Sequence, residues 1–177
     1  MGTTNNDFPP MRGRAWQFGD NVPTDQIVAT AVVMSSMDVV LKHVLEELKP
    51  EFPSSVKPGD IIVAGHHFGQ SSGRGVAAKA IQAAGVACIV ADSFARTYLR
   101  NCYEIGLAII ECPGAGQLAK DGDTVFVDLV KGVVRNETTG ATLQARPVES
   151  FLLTMLQAGG IIPLVKKTGP DLGFKAG

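Results

Sequence analysis

Residues 60–75 read Asp-Ile-Ile-Val-Ala-Gly-His-His-Phe-Gly-Gln-Ser-Ser-Gly-Arg-Gly, and the rest of the chain is organised around them. The run 60–64 is short, apolar and β-branched, and Gly59 and Gly65 bound it, which is the pattern of a buried strand. A loop with glycines at 69, 73 and 75 follows. Directly after it Val76, Ala77, Ala80, Ile81 and Ala84 recur at helical spacing, so the loop delivers Ser71, Ser72 and Arg74 to the start of a helix. Unpaired backbone N–H groups, the positive end of the helix dipole, two hydroxyls and a guanidinium fork at such a place suit a carboxylate or a phosphate.

Working downstream, residues 86–91 read as a second buried strand, and Asp92-Ser93 supplies an N-cap for a helix. Its inward face would be Phe94, Ala95, Tyr98, Leu99, Cys102 and Ile105, with Gly106 as the stop. Residues 107–111 make a third strand. Strand, helix, strand, helix, strand over 60–111 implies parallel pairing with right-handed crossovers. Beyond Pro113 the style changes: 124–129, 133–135 and 141–145 are short strands joined by turn residues, an antiparallel meander. A last helix is expected over 147–158, with Pro147 at its start and Gly159-Gly160 at its end.

Upstream, 14–18 reads as a first strand ended by Gly19-Asp20-Asn21. A polar loop, 22–28, leads into an apolar stretch at 29–34. Residues 37–48 place Val40, Leu41, Val44, Leu45 and Leu48 on one face, an amphipathic helix stopped before Pro50. The expected organisation is a flexible N-terminus over 1–12, one folded domain over 13–167 and a loose tail over 168–177, loosening from Lys166.

The 177 residues, 45% hydrophobic and 19% charged, suit one folded domain with a real core. A net charge of −1 gives no basic face for nucleic acid or a membrane surface, so neither is expected as a partner. No apolar stretch approaches the roughly 20 residues of a membrane span, and the first dozen residues lack a signal-peptide pattern, so the expected location is cytoplasmic. Cys88, Cys102 and Cys112 are odd in number and show no Cys-x-x-Cys pairing, and His43, His66 and His67 have no metal-ligand spacing. The expectation is buried thiols and no metal held by this chain.

The glycine loop has neither Rossmann nor Walker spacing, and it is not the Gly-x-Ser-x-Gly nucleophile elbow, since position 70 is Gln. A glycine loop before a helix serves tight packing as readily as binding. Ser72 and Arg74 tip it towards binding, because a guanidinium two residues from a hydroxyl suits bidentate carboxylate recognition. Asp25, after Pro23-Thr24, reads equally as a turn residue or a site residue. Ser93 explains itself as a cap, and Arg96 and Arg100 lie opposite Phe94 and Tyr98, either solvated or paired with carboxylates.

Taken together, Gly-Asp-Asn-x-x-Thr-Asp-Gln-Ile at 19–27, Lys-Pro-Gly-Asp-Ile-Ile-Val-Ala-Gly at 57–65, Phe68-Gly69, Ser72, Arg74, Ser-Phe-Ala-Arg at 93–96, Asn101 and Gly106-Leu107 stand in one order. This set resembles the small subunit of 3-isopropylmalate dehydratase and homoaconitase, equivalent to the swivelling C-terminal domain of aconitase, from about Arg14 to Lys167. The resemblance implies an α/β fold, a three-layer β/β/α swivelling domain with the strand-helix-strand-helix-strand core and the C-terminal meander. It also implies a hydro-lyase active only with a separate large subunit, as a heterodimer or heterotetramer, in the setting of leucine biosynthesis. The [4Fe-4S] cluster would sit on that large subunit through its own cysteines. An apolar docking face of this kind favours self-association when the partner is absent.

Carried across at matching positions, Ser72 would be the base that takes a proton α to a carboxylate, Arg74 would hold that carboxylate, and Asp25 would arrange the site at the subunit junction. Thr24, Ser71, Gly73, Val32, Val33 and Met34 would line the substrate. The family pattern Gly-Cys-Gly-Ser-Ser-Arg-Glu meets Gly69-Gln70-Ser71-Ser72-Gly73-Arg74-Gly75 here, so Gly73 and Gly75 replace a serine and a glutamate. Members that take a tricarboxylate carry an arginine where this chain has the apolar Ala31-Val32-Val33-Met34. A desolvated carboxylate without a cation is costly, whereas an alkyl group is welcome there. The substrate implied is a dicarboxylate, an alkyl-substituted malate such as 3-isopropylmalate. The alternatives are a paralogous subunit for another 2-hydroxy dicarboxylate of dimethylmalate type, a carboxylate- or phosphate-binding module without chemistry, and a purely structural partner.

Overall fold

In a computed structural model, which describes residues 7–169, the strands form one seven-stranded sheet. In chain order the elements are β1 (Met11–Gln17), α1 (Thr24–Ile27), α2 (Met37–Val40), α3 (Phe52–Ser55), β2 (Ile61–Ala64), α4 (Gly75–Ala83), β3 (Cys88–Ala91) and α5 (Arg96–Ile105). Then come β4 (Ala108–Glu111), a 3-10 turn (Ala115–Gln117), β5 (Thr124–Asp128), β6 (Val133–Asn136), β7 (Thr142–Gln144), α6 (Ser150–Ala158) and α7 (Ile161–Thr168). The sheet order is β4-β3-β2-β1-β5-β6-β7. β1 to β4 are mutually parallel, as the alternation of strands and helices over 60–111 requires, and β5 to β7 form the antiparallel meander.

β1 joins the two halves by dividing its length. Met11 to Arg14 pair antiparallel with β5, and Ala15 to Gln17 pair parallel with β2. The strand therefore begins at Met11, inside the stretch expected to be flexible, because that end has a partner the local sequence does not reveal. Side chains alternate across the sheet with period two. Ile62, Ala64, Ile89 and Ile109 enter a first core with α4, α5 and the 37–56 segment. Ile61, Val63, Cys88, Val90 and Ile110 enter a second core. Val125, Val127 and Val134 of the meander share that second core, so the curled sheet faces itself and helices cover its outer side. This is the expected three-layer arrangement.

Four local expectations change. The helix expected over 37–48 is α-helical only at Met37–Val40 and continues as turns. Leu45 stands at φ +56°, and its N–H donates to Ile27 O at 2.9 Å instead of continuing a helix. Val40, Val44 and Leu45 are still fully buried, so the apolar pattern chose the face correctly while tertiary bonding overrode the helix. Ser93 is not a helix cap: α5 starts from Ala95, and Ser93 Oγ accepts the His67 N–H. α6 begins at Ser150, three residues after Pro147, behind the Glu149 cap. Lys166 and Lys167, read as the start of a loose tail, lie in the last turn of α7, whose Leu164 is buried in the second core and whose Pro163 stands in its first turn, where a missing N–H costs nothing. The expectations for residues 1–6 and 170–177 lie outside the described residues.

The entry to β2 is held by an ion pair. Asp60 is 5% exposed, and its Oδ2 accepts from Arg14 Nη2 at 2.7 Å, Trp16 Nε1 at 2.8 Å and Lys57 N–H at 3.0 Å. Burial alone would raise this carboxyl, but those donors, Arg14 foremost, hold it below the usual range. The stabilisation is therefore full above the unfolded-state value of about 4 and is lost as pH falls through the lower folded value. Asp60→Ala is expected to cost about 2–4 kcal/mol in chemical denaturation at pH 7, because it leaves Trp16 and Arg14 without their acceptor. Its stability should also fall less steeply below pH 4 than that of the parent, and equal slopes would show that Asp60 is not the titrating group.

Candidate active site

The loop after β2 is fastened on both sides. Towards the segment that follows β1, Gly69 N–H donates to Val22 O at 2.8 Å and Thr24 N–H donates to Gln70 O at 2.9 Å. Towards the segment that follows β3, Phe68 N–H donates to Ser93 O, Ala95 N–H to Phe68 O, and His67 N–H to Ser93 Oγ. Beneath it Phe68 is fully buried, edge-on to Tyr98 at 5.6 Å and to Phe94 at 6.2 Å between ring centroids. Gly69 has φ +80°, and a Cβ there would lie 2.1 Å from Tyr98 Cγ. The backbone rests on the tyrosine ring, and only glycine fits.

This frame gathers residues separated by nearly 50 positions. Thr24 is fully buried, and its Oγ1 lies 2.7 Å from Ser72 Oγ and 3.5 Å from Ser71 Oγ. Ser71 Oγ in turn donates to Asp25 Oδ1 at 3.0 Å. Ser71 has φ +79°, a left-handed conformation that costs a side-chain-bearing residue about 1 kcal/mol. Arg74 is the residue that caps α4, and its Nη1 donates to Thr30 Oγ1 at 3.3 Å, which ties the 29–34 segment to the loop. The rest of its fork is open to an acceptor among the described residues. Gly73 O accepts from Asn101 Nδ2 at 3.3 Å. A Cβ on Gly73 would lie 3.1 Å from the Thr97 methyl, whereas one on Gly75 would meet nothing within 4 Å.

Of the residues singled out in the sequence, Thr24, Asp25, Ser71 and Ser72 thus share one hydroxyl–carboxylate cluster, and Gly73 and Arg74 flank it in sequence. The apolar strip divides: Val32 and Val33 are half-buried against the first core, and Met34 is 94% exposed. Tyr98 and Thr30 were not expected to shape the site. A glycine before two serines hinted that something lies close beneath the loop, but nothing local named the tyrosine.

The ingredients suit proton abstraction beside a carboxylate: a hydroxyl with a buried hydrogen-bond partner, a guanidinium, and the N-terminal end of a nine-residue helix. They do not make a metal centre. Burial raises the Cys88 and Cys102 thiols, and burial together with nearby Asp92 pushes Cys112 up to about 11, so none is the thiolate a metal requires. Among the described residues no three His, Cys, Asp or Glu side chains gather as a metal-binding group, so the residues present do not fit an iron–sulfur cluster. A polar cavity of about 520 Å³ elsewhere, lined in part by Asp20, His66 and Asp92, has its carboxylates occupied by the N–H groups of His66, Gly114 and Gly116.

Comparison with known proteins agrees with this geometry. Residues 37–114 match the family model described as the aconitase C-terminal domain. The chain is 45% identical over 161 residues to 3-isopropylmalate dehydratase small subunit 1 of Methanopyrus kandleri, covering 90% of this chain and 95% of the relative. It is 40% identical to the isopropylmalate/citramalate isomerase small subunit of Methanocaldococcus jannaschii, covering 89% and 94%. The crystal structure of a 3-isopropylmalate dehydratase from Methanocaldococcus jannaschii superposes with a TM-score of 0.84 at 34% identity, over 90% of this chain and 95% of that one.

Proposed function

Since the chain belongs to the family of 3-isopropylmalate dehydratase small subunits, with the aconitase swivel fold, we propose that it completes a two-subunit iron–sulfur hydro-lyase acting on an alkyl-substituted malate such as 3-isopropylmalate. The observation that carries the reading is the Ser72 hydroxyl, 2.7 Å from a fully buried threonine, in a loop fastened on two sides and followed by Arg74.

In this reading the open part of the Arg74 fork receives one substrate carboxylate and steadies the charge that develops when the adjacent C–H bond breaks. Ser72 takes that proton. A serine hydroxyl is a weak base in water, so it needs a desolvated setting with fixed dipoles and a nearby cation. Docking of the large subunit over the loop completes that desolvation, with Asp25 at the junction. The [4Fe-4S] cluster held by the large subunit supplies a Lewis acid for the substrate hydroxyl. Thr24, Ser71 and Gly73 line the carboxylate end, and Val32, Val33 and Met34 the alkyl end. The altered positions 73 and 75, with open space at Gly75, favour as a second reading a related 2-hydroxy dicarboxylate of dimethylmalate type.

The test is anaerobic co-purification followed by turnover. A larger partner with iron and broad absorbance near roughly 400 nm, and hydration or dehydration of 3-isopropylmalate by the complex, are expected. Elution of this chain alone, without partner or iron, counts against the reading. In the same assay Val33→Arg is expected to shift preference towards a tricarboxylate by about tenfold, the scale of one new charge-assisted hydrogen bond. An unchanged preference would remove the apolar strip from the specificity argument.

A further inference from the structure

We propose that Ser71 is a positioning residue that couples Asp25 to Ser72, so that the proton Ser72 draws from the substrate is passed through Thr24 and Ser71 to the Asp25 carboxylate. The inference rests on the dehydratase reading above and adds the destination of the proton.

The distances form an unbroken series: Ser72 Oγ to Thr24 Oγ1 at 2.7 Å, Thr24 Oγ1 to Ser71 Oγ at 3.5 Å, Ser71 Oγ to Asp25 Oδ1 at 3.0 Å. One orientation of the hydrogens satisfies all three contacts. A carboxylate only accepts, so the Ser71 hydrogen is committed to Asp25. Ser71 can then only accept from Thr24, and Thr24, its hydrogen so spent, accepts from Ser72. The series runs in a single direction and ends on the only carboxylate in it.

The backbone supplies a second observation. At φ +79° position 71 is a place for glycine, and serine stands there at a conformational cost. Its side chain returns that cost by reaching Asp25, a contact glycine cannot make. Thr24 is fully buried, so the middle of the series is shielded from bulk water.

The step balances. The substrate C–H bond breaks and its electron pair stays on carbon. The proton joins Ser72 Oγ, the Ser72 proton moves to Thr24, that of Thr24 to Ser71 and that of Ser71 to Asp25. Each hydroxyl ends as it began, and one carboxylate becomes a carboxylic acid. No free alkoxide is required.

The experiment uses the complex with its large subunit and 3-isopropylmalate under anaerobic conditions. Ser71→Gly is expected to lower kcat by about 10- to 100-fold, the lower part of the range for assisted proton transfer, with KM within about twofold. It should also raise the melting temperature of the isolated chain, because the backbone strain is relieved. Asp25→Asn should lower kcat similarly, and the double variant should be no slower than the slower single one, as for groups acting as a unit. Wild-type kcat in Ser71→Gly, or losses that multiply in the double variant, would overturn the coupling. A wild-type complex that fails to turn over any alkylmalate overturns the dehydratase reading itself, before a variant is made.

Discussion

Ser72→Ala is expected to lower kcat on 3-isopropylmalate by about 10³- to 10⁴-fold, the upper range for loss of a positioned proton-transfer group, while the two subunits still co-elute. The change removes one oxygen from a half-buried side chain. It leaves Thr24 Oγ1 with its weaker Ser71 contact, which costs folding no more than about 1 kcal/mol. Arg74 and the helix start are untouched, so the substrate carboxylate keeps its cation and KM should move little. Near-wild-type turnover would transfer the base to another group. Retained ligand binding with no turnover in either form would instead favour a binding module. Stable association indifferent to both Ser72 and Arg74 would mark a purely structural partner.

Gly69→Ala should damage both the fold and the site. Two penalties combine at this position. At φ +80° any side chain is strained by about 1 kcal/mol. Moreover the new methyl would overlap the Tyr98 ring at 2.1 Å, and Tyr98 is fully buried against Phe68, so it has nowhere to withdraw. Overpacking of this kind costs about 1–3 kcal/mol. A total near 3 kcal/mol corresponds to a melting temperature lower by about 6–12 °C for a chain of this size. The loop that carries residues 71–74 must also lift, so activity in the complex should fall even well below the melting point. A variant that melts with the parent would show that the ring yields and that the contact does not define the loop.

The parallel half was legible because its strands are buried on both faces and read as continuous apolar runs, with helical spacing between them. The loop was legible because glycines and hydroxyls fall between a strand and a helix. What the local pattern could not show were bonds made at a distance. Leu45 breaks its helix to reach Ile27 O, Met11 finds Val127, and Ser93 turns to His67 rather than capping α5. α7 was hidden by Gly159-Gly160 before it and Pro163 within it. Ser71 was the least legible of the site residues. Its identity suggested a hydroxyl pointing away from the others, and the left-handed backbone at that one position turns it towards Asp25.

The divided pairing of β1 also sets a schedule for biosynthesis. Ala15 to Gln17 can pair once β2 has emerged, but Met11 to Arg14 await Thr124 to Val127. At about 5–20 residues per second the ribosome leaves that edge open for roughly 5–20 s. An unpaired strand edge exposed for so long is a template for the wrong partner. Translation speed across the second half of the message therefore bears on the yield of native chain, and slowing it should increase the demand for chaperones.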